Sequence, residues 1–413
     1  MAEFDVILVG GGLANGLAAL RLAALKAELR VLVVEAGATI GGNHTWCFHA
    51  TDVSGDQDGW LKPLASAVWD DQEVRFPGRA RRLDTGYRAI HSSTLAKAVG
   101  DLASVSVVCN RRVGTVGETE IVFEGGETLG ADCVIDGRGL AGVSGLALGH
   151  QKFVGFEVEL EAPHGLRRPV IMDATVAQID GYRFMYCLPF SPTRVLVEDT
   201  YYADRRVLEV DAVARRIEDY IAAAGWRIAR HVREERGNLP IVLDGDISAF
   251  RSGESRPPAR VGMRAGLFHQ TTGYSLPLAA EVADTIAALQ RPTTAEVRAK
   301  VDAIAAAAWQ RQSFFRLLNR MLFVSAHAHE RVAIMERFYG LSQGLIERFY
   351  AGRLTTFDKA RILTGKPPIP ILRALKGFDP ASARDRMATV PPPAAGPALP
   401  HAVSKQPPGR DLG

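Results

Sequence analysis

The sequence has few cysteines, little net charge and no long hydrophobic run. Its four cysteines, Cys47, Cys109, Cys133 and Cys187, are scattered without a Cys-x-x-Cys pair. A metal site or a disulfide framework is therefore unsupported, and a reducing cytoplasm fits best. A formal net charge of +3 is too small to indicate binding to nucleic acid. Because the chain lacks a run of about 18 uncharged apolar residues, we expect no segment that spans a bilayer.

The composition is that of a globular protein. Hydrophobic residues make up 47% of the 413 positions and charged residues 23%, which excludes a largely disordered chain. The length predicts about two domains. We detect no internal repeat.

The first 35 residues follow the pattern of a dinucleotide-binding βαβ unit. The apolar run Val6–Val9 predicts a buried parallel strand, a glycine cluster and a helical pattern follow, and a second apolar run, Val31–Val34, ends at an acid. Such glycines let backbone N–H groups approach a pyrophosphate at a helix N-terminus, while the acid accepts hydrogen bonds from ribose hydroxyls. The predicted cofactor-binding residues of this unit are Gly10, Gly12, Leu13, Ala14, Gly16 and Glu35.

Asn15 stands where the stricter dinucleotide pattern has its third glycine. That glycine serves helix–strand packing more than phosphate contact, so the departure is mild.

Three later blocks extend the prediction for the cofactor. The loop from Ile40 to Trp46 is rich in glycine and aromatic or polar side chains; it fits a surface loop or, as we favour, a loop lying over the cofactor. Asp136-Gly-Arg-Gly139 follows an apolar strand, at the strand end where doubly wound sheets bind ligands. A strand, glycines and a helix recur after residue 259, where we predict that Gly262 and Gly266 contact the cofactor through the backbone.

The middle of the chain changes character. Segments such as Tyr182–Leu188 and Arg194–Glu198 alternate in polarity with period two, which predicts an antiparallel sheet. We therefore expect an α/β fold: a Rossmann-type FAD-binding domain with an inserted antiparallel-sheet substrate domain and C-terminal helices. The predicted units are a discontinuous cofactor domain (1–150 plus 255–293), a substrate domain (151–254), a helical region (294–375) and a disordered tail (380–413).

The helical region interleaves arginines with aromatic residues, as in Phe314–Phe323, Arg337-Phe-Tyr339 and Arg348-Phe-Tyr350. This pattern fits helices that lie in a membrane interface. It fits ordinary packing helices equally well.

Five blocks together resemble the bacterial lycopene β-cyclases, and the resemblance extends to about residue 375. The blocks are Gly10-Gly-Gly-Leu-Ala-Asn-Gly16, Gly41-Gly-Asn-His-Thr-Trp46, Asp136-Gly-Arg-Gly139, Val197-Glu-Asp-Thr-Tyr-Tyr202 and Arg264-Ala-Gly-Leu-Phe-His-Gln-Thr-Thr-Gly-Tyr-Ser-Leu-Pro277. The resemblance implies a flavoprotein built like the FAD-dependent hydroxylases and geranylgeranyl reductases. It also implies an isomerase of the intramolecular-lyase type, which converts the ψ-ends of lycopene to β-rings through γ-carotene to β-carotene without net redox change. The family requires reduced FAD, with NAD(P)H as the reductant.

The resemblance also makes Glu198 the expected catalytic acid. By itself, Glu198-Asp199 more often marks an exposed turn at a strand end. As an acid pair on an apolar sheet, the neighbouring like charge would raise the pKa of Glu198 and keep it protonated. Electron-rich faces would stabilise the carbocation, with Tyr182, Phe184, Tyr186, Tyr201 and Tyr202 as candidates.

Arg264 is a departure from the wider flavoprotein pattern, which has an aspartate there for the ribityl chain. An arginine cannot accept hydrogen bonds from ribityl hydroxyls. It could instead contact a phosphate or the flavin carbonyls.

The implied substrates, lycopene and γ-carotene, reside in bilayers. We therefore expect a cytoplasmic protein that is peripheral on the inner face of the cell membrane and contacts the lipid surface. The alternative interpretation is an FAD-dependent monooxygenase or reductase acting on an apolar isoprenoid. Product mass separates the two, because cyclisation leaves the mass unchanged.

Overall fold

The computed structural model describes residues 3–140, 145–247, 258–365 and 369–386 as three sheets with surrounding helices. The strands are β1 (Phe4–Val9), β2 (Val31–Val34), β3 (Thr45–His49), β4 (Ala67–Trp69), β5 (Gln72–Phe76), β6 (Arg79–Leu83), β7 (Tyr87–His91), β8 (Val105–Val108), β9 (Val113–Val116), β10 (Glu120–Phe123), β11 (Thr128–Asp136), β12 (Leu146–Leu160), β13 (Val170–Asp173), β14 (Tyr182–Pro189), β15 (Arg194–Ala203), β16 (Ile228–Gly245) and β17 (Ala259–Arg260). The helices are α1 (Leu13–Leu25), α2 (Gly55–Leu61), α3 (Ser92–Gly100), α4 (Val210–Ala223), α5 (Leu276–Ala287), α6 (Thr294–Arg311), α7 (Ser313–Arg320), α8 (Arg331–Phe338), α9 (Gln343–Tyr350), α10 (Thr356–Leu363) and α11 (Ile371–Ala374).

The N-terminal strand lies inside a parallel sheet. In the order β8-β2-β1-β11 all neighbours are parallel, β17 pairs with the end of β11, and β10 and β9 extend the sheet in antiparallel fashion. Because Val6–Val9 of β1 and all of β2 are apolar on both faces, they require cover on both sides. On one side α1 and α5 pack on the sheet through a continuous core. The predicted α/β fold class is confirmed.

The second sheet has the order β16-β12-β15-β14-β13-β5-β6, and its pairs are antiparallel except β13–β5. Two details differ from the predicted domain ranges. The strands β5 and β6 join this sheet although their residues fall in the range predicted for the cofactor domain, and β12 begins at Leu146 rather than after residue 150. Both result from long-range pairing, which leaves no local signal in the sequence.

One face of the second sheet is covered by α4, with an apolar core between them. The other face is covered in part by the C-terminal helices. The aromatic residues there that suggested a membrane interface are mostly buried in this contact, including Phe315, Phe323, Tyr339, Phe349 and Tyr350. Packing helices are therefore the correct interpretation of these aromatic residues. No helix among the described residues is both long and apolar enough to cross a membrane.

The prediction of disorder is wrong for residues 380–386. Residues Pro380–Arg386 form a 3₁₀ helix, within which Ala383 is fully buried. The rest of the predicted tail, 387–413, lies outside the described residues. So does the predicted boundary between 254 and 255.

Candidate active site

A cavity of about 950 Å³ runs between the two large sheets. One end is formed by the β1–α1 turn and the carboxyl ends of the parallel strands, and the other by one face of the antiparallel sheet. Of the predicted cofactor residues, Gly10, Gly12, Leu13, Ala14, Glu35 and Gly262 line this cavity. Gly16 and Gly266 do not: Gly16 packs on α3, where a Cβ would lie 2.8 Å from Leu95 Cδ2, and Gly266 closes a 3₁₀ turn.

Glu35 is fixed by backbone amides at the end of β2. Its Oε2 accepts a hydrogen bond from Gly11 N at 2.7 Å and its Oε1 accepts one from Gly37 N at 2.6 Å. Each carboxylate oxygen has two lone pairs, so both oxygens retain acceptor capacity toward the cavity. This geometry fits the ribose hydroxyls of a dinucleotide.

The turn after β1 leaves room for a ligand because its residues are glycines. Gly10 has φ +88°, and a Cβ there would lie 3.1 Å from the backbone of Gly137 and Arg138. Gly12 precedes the first turn of α1, whose N–H groups face the same end of the cavity. The observed cradle therefore fits the pyrophosphate of FAD.

Asn15 replaces the third glycine by bridging the helix and the strands. Its amide nitrogen donates to Val9 O at 3.0 Å and to Gly10 O at 2.8 Å. A Cβ on Gly137 would lie only 2.6 Å from this nitrogen. The close approach of α1 to the strands is therefore preserved by Gly137, which directly follows β11.

Arg264 makes an ion pair with Asp136 at the end of β11. The Arg264 Nε lies 2.7 Å from Asp136 Oδ2, and Arg138 contacts the same carboxylate at 2.9 Å. Although burial opposes the effect, these arginines hold the pKa of Asp136 below its usual range. Arg111, Arg112, Arg138 and Arg264 also line the cavity, a positive lining that fits phosphate groups.

The glycine-rich loop before β3 lies against the cavity. Gly41, Gly42, His44 and Trp46 all line it, and both glycines have positive φ (77° and 61°). This location agrees with the favoured interpretation, a loop over the cofactor.

The sheet face toward the cavity is organised in rows by the register of its strands. In one row, Tyr186, Glu198, Gly155 and Glu235 are directly paired across β14, β15, β12 and β16. Neighbouring rows place Phe184, Phe153 and Tyr202 beside them. The result is a largely apolar wall that carries two carboxyl groups.

Glu198 lines the cavity and is only 7% exposed. Its Oε1 accepts a hydrogen bond from Thr200 Oγ1 at 2.5 Å. Burial raises its pKa well above the usual range, and the carboxylate of Glu235 raises it further. The raised pKa favours the protonated form of this carboxyl.

The expected pairing of Glu198 with Asp199 as joint acids is wrong. Adjacent strand residues point to opposite faces, and Asp199 lies on the α4 side, where Arg183 contacts it at 2.8 Å and Tyr201 donates to it at 2.6 Å. The carboxyl that approaches Glu198 is Glu235, which sequence reasoning missed. The segment Arg233-Glu-Glu-Arg-Gly-Asn238 has no alternation of polar and apolar residues that could have singled out Glu235.

Of the five aromatic residues predicted to stabilise the carbocation, only three line the cavity. Phe184, Tyr186 and Tyr202 line the cavity, whereas Tyr182 lies in the neighbouring core and Tyr201 on the opposite face. Trp46, from the predicted cofactor loop, is a further aromatic lining residue. Phe153, Tyr274 and Tyr350 also line the cavity, and the sequence did not single them out for this role.

A tyrosine network backs this wall. Tyr87 is hydrogen-bonded to Tyr186 at 2.8 Å and to Tyr274 at 2.7 Å, so these hydroxyls are engaged with one another. Burial raises the pKa of each well above its usual value, so all three are neutral phenols. Within the described residues, no cluster of three or more histidine, cysteine or acidic side chains could hold a metal ion.

The chain matches a known protein family over most of its length. The family model described as "Lycopene cyclase protein" matches residues 5–376. A lycopene beta-cyclase of Pantoea ananas is 48% identical over 376 residues, which cover 91% of this chain and 98% of the relative.

Two solved structures share the fold at low sequence identity. A probable FAD-dependent monooxygenase from Pseudomonas aeruginosa matches with a TM-score of 0.55 and 18% identity over 80% of this chain and 98% of that one. A geranylgeranyl bacteriochlorophyll reductase-like protein from Thermoplasma acidophilum matches with a TM-score of 0.53 and 13% identity over 91% and 95%.

Proposed function

Since the chain belongs to the lycopene cyclase family, we propose that it is a lycopene β-cyclase that converts the ψ-ends of lycopene to β-rings, through γ-carotene to β-carotene. The observation that carries this proposal is one cavity that combines a dinucleotide cradle with Glu198, buried in an aromatic wall. An acid in an apolar pocket that excludes water is what an acid-initiated cyclisation of a hydrocarbon requires.

The chemistry begins with proton transfer. Glu198 donates its proton to a carbon of the terminal trisubstituted alkene, which leaves a carboxylate and a tertiary carbocation. The neighbouring double bond attacks the cation and forms the ring bond, and loss of a ring proton to the carboxylate left on Glu198 gives the β-ring and restores the acid. One proton enters and one leaves, so neither mass nor oxidation state changes.

The wall of the cavity supports the cation. Tyr186, Tyr202 and Phe184 present aromatic rings, whose faces attract positive charge, and with hydroxyls engaged elsewhere the tyrosines are poor nucleophiles toward it. The apolar lining also excludes water that would trap the cation. FAD held by the Gly10–Gly12 turn and Glu35 would, in its reduced form, supply further electron density for the cation.

We infer that FAD is the cofactor because the Gly10–Gly12 turn, Glu35 and the arginine lining fit its ribose and pyrophosphate. NAD(P)H is proposed as the reductant. The sequence shows no second glycine fingerprint for a resident nicotinamide nucleotide, so NAD(P)H would act transiently or through a partner protein.

We propose that the protein is peripheral on the inner face of the cell membrane, since lycopene resides in bilayers. The contact surface proposed here is the apolar C-terminal patch, defined as Phe357, Ile371, Leu372, Leu375 and Phe378, whose side chains are 50% to 82% exposed. Arg361 and Lys376 are exposed in the same C-terminal part of the chain, and their positive charge favours anionic lipid. This patch replaces the buried aromatic residues that the sequence pattern had suggested.

The test is an anaerobic incubation of the purified protein with lycopene in liposomes, FAD and NADPH, followed by chromatography and mass analysis. A product of unchanged mass that co-elutes with γ-carotene or β-carotene, and that is absent with oxidised flavin, is expected. A product with altered mass, or turnover only with oxygen, would instead establish a reductase or a monooxygenase.

Two variants assign the acid. Glu198→Gln should lower the cyclisation rate by roughly 100- to 10,000-fold, the usual contribution of a general acid, while FAD stays bound. Glu234→Gln is the matched control, because Glu234 is exposed on β16 and should retain full activity. Full activity of Glu198→Gln would exclude its role as the acid.

A further inference from the structure

Glu198 and Glu235 approach each other across a strand that has no side chain between them. Gly155 on β12 is paired with both residues. A Cβ on Gly155 would lie 3.2 Å from Glu198 Cβ and 3.2 Å from Glu235 Cγ, tighter than ordinary contact. The two carboxyl groups are within hydrogen-bonding reach of each other and both line the cavity.

The other hydrogen-bond and ion-pair partners of Glu198 and Glu235 differ, and this difference indicates which of the two carries the proton. The Oε2 of Glu235 accepts hydrogen bonds from Arg233 Nη1 at 2.8 Å and from Thr45 Oγ1 at 2.9 Å. Arg233 is itself held by Glu157 at 3.0 Å. Within the described part of the chain Glu198 makes no ion pair and accepts a hydrogen bond from the hydroxyl of Thr200. Burial raises the pKa of Glu235 as well, but Arg233 and Thr45 oppose that rise. Of the two carboxyls, Glu235 is therefore the one on which the carboxylate form is favoured, and Glu198 the one on which the acid form is favoured.

We propose that Glu235 is a positioning residue for the acid: held ionised by Arg233 and Thr45, it accepts a hydrogen bond from protonated Glu198 and keeps the transferable proton on Glu198 at the cavity wall. This inference rests on the proposed function for its chemistry, but the state of the pair can be measured without turnover. When Glu198 gives its proton to the substrate alkene, its O–H bond breaks and a C–H bond forms. Two carboxylates then face the carbocation, with Arg233 balancing one of them.

Other titratable groups face the pair from each neighbouring element. They are Cys47 on β3, Glu157 on β12, Tyr186 on β14 and His44 in the loop before β3. Asp199, next to Glu198 on β15, lies on the opposite face and is paired with Arg183. Burial raises the pKa of Cys47 to about 12 and that of Tyr186 well above its usual value, so both stay neutral. Burial and the nearby Arg233 lower the pKa of His44, which favours its neutral form. A change near neutral pH that is absent in Glu198→Gln therefore reports on the two glutamates.

The first measurement is infrared difference spectroscopy of the protonated-carboxyl C=O stretch, recorded as a function of pH on the flavin-loaded protein without substrate. The wild type should show this band at neutral pH, and Glu198→Gln should lack it. In Glu235→Gln the like charge is absent, so the pKa of Glu198 falls and the band should titrate at least one pH unit lower. Glu234→Gln, the exposed neighbour, should match the wild type.

The second measurement is the pH dependence of turnover. Because Glu198 acts as an acid, activity is lost as pH rises through its pKa. On the alkaline side, Glu235→Gln should therefore lose activity about tenfold for each pH unit by which the pKa of Glu198 falls, and it should recover toward wild type at lower pH. Recovery of this kind would not follow from a merely structural defect.

A third variant keeps both carboxyls but separates them. Gly155→Ala inserts a Cβ between Glu198 and Glu235 and should move the infrared titration in the same direction as Glu235→Gln. The proposal is overturned if the wild type lacks the band at neutral pH, or if folded Glu235→Gln titrates like the wild type. A shifted band with no cyclised product would retain the pair and reject the proposed function instead.

Discussion

Gly262→Ala tests whether the cofactor cradle depends on the close contact between the second glycine block and α1. Gly262 has φ +60°, and a Cβ there would lie 2.9 Å from Ala14 Cβ. The left-handed backbone costs an alanine about 1–2 kcal/mol, and overpacking adds about 1–3 kcal/mol. Because Gly12, Leu13 and Ala14 all line the cavity, displacement of this turn should also raise the Kd for FAD by about tenfold, equivalent to about 1.4 kcal/mol.

The control is Gly225→Ala, which has φ +75° but no atom within 4 Å of the added Cβ. It should show the backbone cost alone, with unchanged FAD affinity. Thermal unfolding of the apoprotein and a flavin-fluorescence titration measure the two effects. Adding Ala14→Gly to Gly262→Ala should restore FAD binding, because it removes the opposing methyl group. Equal midpoints and equal Kd values for Gly262→Ala and Gly225→Ala would refute the reasoning.

Three further predictions concern the ribose contact, the membrane and pH. Glu35→Gln should weaken FAD binding about 10- to 100-fold in a fluorescence titration, because charge-assisted hydrogen bonds are lost; exposed Glu28 gives the control, Glu28→Gln. Replacing Leu372, Leu375 and Phe378 by serine should reduce flotation with anionic liposomes, since each apolar side chain contributes about 1.5–3 kcal/mol when buried. Val207→Ser, outside the patch, is the control. Unchanged flotation of the triple variant, or an equal loss in the control, would contradict the proposal that this patch contacts the membrane. The pKa of Glu198 is raised in the folded protein above its unfolded value of about 4.5. Its contribution to the stability of the fold is therefore complete below about pH 4.5 and is lost as pH rises through the folded-state pKa. Glu198→Gln should therefore equal the wild type in thermal unfolding at low pH and exceed it at high pH; a constant difference between them would speak against the raised pKa.

The cofactor end of the molecule could be predicted from the sequence because its signals are local. The strand, glycines, helix and acid that form β1, α1 and β2 occur within 35 residues, and the residue types of each segment indicate its local conformation. The same holds for the positive φ of Gly262.

The acid site could be predicted only in part. The family resemblance named Glu198, but Glu235 lies on another strand and reaches it only through the register of β12 and the missing side chain of Gly155. Pairing Glu198 with Asp199 was an avoidable error, because neighbouring residues on a strand face opposite sides. The environment of the aromatic C-terminal helices could not be predicted for a different reason. Interleaved arginines and aromatic residues give the same sequence pattern whether the apolar side of a helix contacts lipid or packs on a sheet.

The single acid pair lining the described cavity also bears on the order of products. Lycopene has two ends, and both must use the same Glu198 in succession. After the first ring closes, γ-carotene has to withdraw, turn around and re-enter, and in doing so it competes with fresh lycopene for the entrance. Catalysis should therefore be distributive: a large excess of lycopene over enzyme should accumulate the one-ringed carotenoid, and scarcity of lycopene should drive conversion to the two-ringed one.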